Sequence, residues 1–505
     1  MREKENMRER KTCQGSITLF LALILTLIFS LLFSLLEAAR VQSLQIIAGR
    51  NMQLRLESLF AGYNLPMWQN YHMLFLEGSS RKGALELSGT EGTVMKEAVL
   101  EQAGVGFYQM DLMDFQISGY ALATDYQGAY FREQASRAVR DRAAAEIGEA
   151  WKKKLEAGGE LTDRRKELEN TWEAAQAAEE EAREIQEGST EEGEKSPETT
   201  ENSSSEEQPL PENPMELVKL WKNSPMLGLV VENPSALSAR GVLLEDCLQN
   251  RKKEQGNLEY PGTEKLDKLW LIRYLDGYFS CQNGPGEKGA ATHALEYELE
   301  YCIGGKESDR ENLEQVVKEL LLLREAGNFA TILKDSGKQT LALEIATAAV
   351  GFTGLPPLIQ AVQTGILLAW SYVESVLDVR CLLAGGKVPL IKEVSEWKSD
   401  VSAGQKVLEN QASSESEERG LTYREYLQIL MVSVRESLLT SRAMDIMEFN
   451  IRLLPGYEQF RMDHLLQEVT ADGIYRAHPL FPGFITGAKK EDGVYHFEAS
   501  RRCSY

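Results

Sequence analysis

Ser16–Leu36, SITLFLALILTLIFSLLFSLL, runs for twenty-one positions without a charged residue. An α-helix needs roughly 20 such residues to cross a bilayer core about 30 Å thick. The fifteen residues before it, MREKENMRERKTCQG, carry five basic side chains (Arg2, Lys4, Arg8, Arg10, Lys11) against three acidic ones. A Lys/Arg excess beside an apolar run holds that end in the cytoplasm, so the chain beyond Glu37 is expected outside it. A cleaved secretory signal has a shorter apolar stretch, about 7–15 residues, and small residues at its cleavage site. Here the run ends in LLEAAR, where Glu37 and Arg40 crowd the candidate site, and Cys13 precedes the run, the reverse of lipobox order. The reading is an uncleaved or pilin-like anchor.

Beyond the run, Val41, Leu44, Ile47, Ala48, Met52, Leu56 and Leu59 recur at spacings of three and four, with Arg40, Gln42, Gln45, Arg50 and Arg55 between them. That period belongs to an amphipathic helix. Only Gly49 interrupts it before Pro66. One helix from Ser16 to about Phe60 would span about 65–70 Å at 1.5 Å per residue. Its first half is expected in lipid, and its second half lays an apolar stripe on a domain or a partner helix.

At 505 residues and 43% hydrophobic content the chain can build more than one core. Its net charge of −22 repels phosphate backbones and excludes nucleic acid as an expected partner. Five of the six cysteines (Cys247, Cys281, Cys302, Cys381, Cys503) follow the apolar run, an odd number without a C-x-x-C. Isolated thiols, with at most a single bridge, are expected rather than a zinc site or a disulfide scaffold.

The fold class read from the pattern is α+β, mainly α: a long N-terminal transmembrane and amphipathic helix, then an extracytoplasmic mixed domain split by a disordered acidic linker. The expected segments are a basic leader (1–15), the transmembrane helix (16–36) and the amphipathic continuation with a small strand-containing region (37–130). A charged helical stalk or hairpin (131–187) follows, rich in Ala, Glu, Lys and Arg and sparse in large apolar residues, with a coiled-coil partner as its alternative. Residues 188–214, GSTEEGEKSPETTENSSSEEQPLPENP, cannot bury enough surface to order themselves and read as a linker. A helical core (215–400), a polar linker (401–420) and a helix with C-terminal strands (421–505) complete the chain. Residues 345–372 are apolar enough to suggest a second span. Pro356, Pro357 and several Gly and Gln residues break the stretch, so a buried core helix is expected.

No motif for catalysis stands out. Gly284–Gly289 has phosphate-loop spacing but lacks the following Lys-Ser/Thr, and Ser79–Lys82 fits S-x-x-K without its companion motifs. His72, His293, His464, His478 and His496 are scattered along the sequence. No catalytic, cofactor-binding or metal-ligating residue is assigned, no cofactor is expected, and the chain is expected not to be an enzyme.

The N-terminal string Gly15–Leu23 (GSITLFLAL), leading to Leu36–Arg40 (LEAAR), resembles the single-pass membrane proteins of Firmicutes Tad-type (tight adherence) pilus loci. The strings YELEYCIGGKESDRENLEQV, LLLREAGN and WSYVESVLDVRCLLAGGKVPL resemble the core of the DUF5702 family. By that resemblance Glu37 and Arg40 match the E-x-x-R pair that closes the membrane segment in TadE- and TadG-like minor pilins. Gly15–Ser16 matches a leader-processing junction, although Phe20 stands at the fifth position after it, where pilins carry Glu. The resemblance implies a non-enzymatic component of a Tad-like pilus or cell-surface assembly in the cell membrane. Its expected partners are the bilayer, other assembly subunits and further copies of itself. A membrane-anchored sensor or ligand-binding module is the first rival, and a cell-envelope hydrolase the second.

Overall fold

A single helix, α1 (Arg2–Ala61), carries both halves of the N-terminal pattern without a break. Its 60 residues make a rod about 90 Å long at 1.5 Å per residue. The computed structural model describes residues 2–78, 85, 87, 106–143, 149–190, 214–222, 224–260, 268–286, 292–399, 415–481 and 490–505; of these, 2–16, 141–143, 149–150, 162–163, 165–166, 186–190, 214, 216–217 and 490–491 are described by backbone alone. Among the described residues, Ile17–Ala61 holds the one helical stretch long and apolar enough to cross a membrane. The side chains of its apolar run are almost all exposed within the chain itself.

The second half of α1 packs on the chain's own sheet. Val41, Leu44, Ala48, Met52, Leu56 and Phe60, at spacings of three and then four, are buried and share a core with Phe115, Val469, Ala471, Tyr475, Phe497 and Ala499. Each large apolar side chain so buried stabilises by roughly 1.5–3 kcal/mol. The stripe is therefore occupied within the molecule. Of the two expected occupants, domain or partner helix, it is the domain.

That sheet draws its strands from widely separated parts of the chain. Described are β1 (Leu76–Glu77), β2 (Asp111–Leu122), β3 (Leu465–Ala477), β4 (Lys490–Glu491) and β5 (Val494–Ser504). All pairings are antiparallel, with β3 between β2 on one side and β5 on the other, and with β1 pairing to the start of β3 across from β2. In β3, Val469, Ala471, Gly473, Tyr475 and Ala477 alternate onto the face under α1, as the two-residue period of a strand requires. At Gly473 an added Cβ would come within 2.1 Å of Met52 Cε, so the Met52 side chain packs directly on the glycine and would have to move. β4 and β5 form a hairpin through Asp492 and Gly493, both at positive φ, as a tight Asp-Gly turn demands. The free edge of β2 is covered by the loop at Asn257, whose backbone N–H donates to Tyr120 O and whose side chain accepts from Tyr120 N and donates to Ser118 O. The strand-containing region expected at 37–130 and the C-terminal strands expected at 421–505 are thus one sheet.

The helical layer is built from α2 (Leu65–Tyr71), α3 (Asp125–Ala143), α4 (Glu149–Asp163), α5 (Arg165–Thr190), α6 (Pro214–Lys222), α7 (Met226–Val230), α8 (Lys268–Tyr278), α9 (Glu298–Gly304), α10 (Asp309–Ile332), α11 (Ser336–Val350), α12 (Pro356–Leu383), α13 (Tyr423–Ser433) and α14 (Glu436–Arg452). α12 is its axis. Pro356 and Pro357 begin it, where a missing N–H costs nothing, and every residue from Gly365 to Val379 is buried. The apolar stretch that invites comparison with a second span is a core helix.

α4 and α5 differ from the expected solvated stalk. Leu155, Leu161, Leu168, Trp172, Ala175, Ala178 and Ala182 are buried in the same core as α12. The reason is the alanines: they line an apolar stripe too slight to register as hydrophobic, and they let α5 approach α12 closely. At Gly365 an added Cβ would lie 2.8 Å from Ala175 Cβ. Within the expected linkers, residues 191–213 and 400–414 lie outside the described residues.

The two layers are locked together. Gln134 Nε2 on α3 donates to Gln467 Oε1 on β3 at 2.9 Å, and Arg251 bridges Glu448 on α14 to Asp463 just before β3. Within the helical layer Tyr274 O–H donates to Tyr71 O at 2.7 Å and Asn450 Nδ2 to the Tyr71 hydroxyl at 3.0 Å. The five cysteines whose side chains are described are free thiols, four of them buried.

Candidate functional site

Glu37 and Arg40 lie one turn apart on α1, immediately after the apolar run. Both are buried, and Arg40 Nη1 meets Glu37 Oε1 at 3.1 Å. Each also holds a loop from elsewhere. Arg40 Nε donates to Phe107 O at 2.7 Å and Nη1 to His478 O at 3.0 Å. The Glu37 carboxylate accepts from Leu480 N at 3.3 Å and from Phe481 N at 3.2 Å. A buried ion pair is stabilising only when further hydrogen bonds satisfy its remaining donors and acceptors. Here four backbone groups do so.

The loops bring aromatic rings with them. Phe481 stacks on Phe33, one turn earlier on α1, with centroids 5.2 Å apart and planes 3° from parallel. Phe107 lies 6.1 Å from Phe481 and under the Arg40 guanidinium at 5.6 Å. The sequence singles out Glu37 and Arg40 but not Phe33, Phe107, His478, Leu480 or Phe481. The available signal was two short aromatic loops flanked by Gly and Pro, GFY at 106–108 and HPLFPG at 478–483. Gly15 and Ser16 lie within α1, where only the backbone is described.

A second cluster sits inside the helical layer. Arg324 on α10 donates to Asp378 on α12 at 3.1 and 2.9 Å, and also to the carbonyls of Pro389 and Leu390 and to the Tyr426 hydroxyl. Lys392 closes the network on Glu374 and on Asp378 at 3.0 Å. Two cations and two carboxylates, all buried, pin the 388–392 segment over α12. Glu300 lies nearby, accepting from Tyr423 and from Gln282 N; burial pushes its carboxyl up to about 7. Burial does the same to Asp445. The thiols of Cys247 and Cys281 are also pushed up by burial, to about 11 and about 12.

A cleft of about 640 Å³ opens beside these helices, lined by Leu229, Glu232, Asn233, Gln282, Tyr297 and Arg380 among others. Arg380 Nε donates to Leu229 O at 2.8 Å, while the buried Gln282 Oε1 has no hydrogen-bond partner. Among the described residues no group of three or more His, Cys, Asp or Glu side chains is placed to hold a metal ion.

These features define a mainly helical α+β protein in which one long N-terminal helix joins an apolar segment to a folded domain. The chain belongs to DUF5702, a family of unknown function whose model matches residues 204–477. The match takes in the buried Arg324–Asp378–Lys392–Glu374 network and ends with β3; the apolar run, Glu37 and Arg40 lie before it. No curated protein and no solved structure matches the chain.

Proposed function

We propose that the protein is a non-enzymatic, single-pass membrane protein with its N-terminus in the cytoplasm and its bulk outside. In this reading it is a component of a Tad-like pilus or related cell-surface assembly. The observation that carries it is the unbroken passage of α1 from an apolar run into a stripe that covers the sheet. A helix of this kind makes the membrane segment and the outer domain one body. The Glu37–Arg40 pair, in the position of the E-x-x-R of TadE- and TadG-like proteins, supports the same reading.

Because Leu44 and Leu56 are used inside the molecule, partners are left with the apolar run itself and with the outward face marked by Ile46 and Leu54, both exposed. The test exchanges Ile17–Leu32 for an unrelated apolar helix of equal length and follows cross-linked partners from native membranes. Loss of the partners with insertion intact is the expected result. Unchanged partners would remove helix packing as the mechanism.

The cleft at Arg380 favours a second reading, a surface sensor. Its unpartnered Gln282 acceptor and nearby Arg380 cation suit a small zwitterion such as an amino acid. Thermal stabilisation by amino acids that Gln282→Ala abolishes would support this reading, and no stabilisation across the set would dismiss it.

A further inference from the structure

The Glu37–Arg40 pair satisfies backbone groups in loops that lie where α1 leaves its apolar run. Phe33 is inside the run, about 4.5 Å before its end at 1.5 Å per residue, and Phe481 stacks on Phe33. The 478–481 loop therefore reaches back past the end of the run, alongside helix side chains expected in lipid. Non-helical backbone at that depth persists only where its N–H and C=O groups find partners inside the protein. Leu480 N, Phe481 N, His478 O and Phe107 O all find one, in Glu37 or Arg40. Meanwhile apolar side chains of these loops are exposed, Phe107, Tyr108 and Leu480 among them, as are Leu35 and Leu36 at the end of the run. Aromatic and amphipathic rings concentrate at the headgroup level of membrane proteins.

We propose that Phe107, Tyr108, Leu480 and Phe481 form a seat that inserts into the outer headgroup layer of the bilayer, holding the folded domain directly against the membrane. This rests on the membrane-anchor reading above. The occupant is lipid because Phe481 stacks on Phe33 inside the apolar run itself, which sets the patch at the depth where that run leaves the bilayer. A protein partner would need no such alignment with the end of the run. The Glu37–Arg40 pair is then the internal support that lets two loops enter this layer with their backbone groups paired.

The test uses the full chain in phosphatidylcholine vesicles, with Cys13→Ser and Cys503→Ser so that the remaining thiols are buried. Single cysteines are placed at Leu27, Leu54, Tyr108 and Leu480 and labelled with an environment-sensitive fluorophore. Lipids brominated near the headgroup serve as the quencher for Leu54, Tyr108 and Leu480, and lipids brominated near the chain ends for Leu27. Leu27 reports insertion of the run; Leu54 lies about 27 Å beyond its end and reports water. Quenching at Tyr108 and Leu480 at least about twofold stronger than at Leu54 is expected for groups at the aromatic belt. Quenching there equal to Leu54, with Leu27 quenched, would overturn the seat and leave the anchor standing. A Leu27 label that is itself unquenched would overturn the anchor and the seat together.

Discussion

Arg324 and Asp378 meet across α10 and α12 through two hydrogen bonds, and neither side chain reaches solvent. Removing one partner of such a pair strands the other charge in the core and costs about 3–5 kcal/mol, whereas replacing both with apolar residues is close to neutral. Arg324→Met should therefore lower the melting temperature of the detergent-solubilised protein sharply. Arg324→Met combined with Asp378→Leu should recover most of the loss, because Lys392 keeps Glu374 as its partner. A double variant no better than the single one would show that the network acts through its carbonyl contacts instead.

The loops at the exit of the apolar run depend on the charge of α1. With Arg40→Met the Phe107 and His478 carbonyls lose their donor, at about 1.5–3 kcal/mol for each bond to a charged group. Amide exchange at Leu480 and Phe481 should then accelerate by about tenfold or more, while the amides of α12 stay protected. Uniform acceleration across the chain would mean that the pair supports the whole fold rather than the loops.

α5 is held in the core by its close approach to α12 at Gly365. Gly365→Ala places a Cβ 2.8 Å from Ala175 Cβ, an atom fixed to its backbone, so α5 must shift. Overpacking of this kind costs about 1–3 kcal/mol. A melting temperature unchanged by Gly365→Ala would return α5 to the solvated stalk that its composition suggests.

Glu300 and Asp445 make stability depend on pH. Burial raises both carboxyls, each to about 7, from ordinary values of 4.5 and 3.8. The folded state therefore holds protons that the unfolded chain releases. The stability each contributes is complete below its ordinary value and is lost as pH rises towards 7, at about 1.4 kcal/mol per pH unit for each group. His464 works in the opposite direction: burial lowers it from 6.5, so its contribution is lost as pH falls below 6.5. Glu300→Gln should flatten the decline in melting temperature between pH 5 and 7. An identical slope in wild type and variant would assign the decline to other groups.

How much of this was legible in the sequence follows from the size and reach of each signal. The stripe on α1 was legible because Val41, Leu44, Met52 and Leu56 are bulky and regularly spaced. The stripe on α5 was not, because Ala175, Ala178 and Ala182 count as helix formers before they count as core. β2 and β3 each read as strands, but nothing local in Asp111–Leu122 points to Leu466–Arg476 as its partner. Glu37 and Arg40 were visible as a pair at the end of the run. Their carbonyl and amide partners were not, since backbone groups leave no mark on a sequence. The buried Arg324 network was hidden by abundance, four ionisable residues in a chain where 26% are charged.

β5 lies against α1, roughly 430 residues further along the chain, and contacts of such long sequence separation form slowly. The apolar stripe of α1 must therefore wait, uncovered, until the last strands have been synthesised. During that interval it is an exposed apolar surface of the kind from which misassembly of large proteins begins. Residues 41–60 are thus the first part of the core to be made and among the last to be covered.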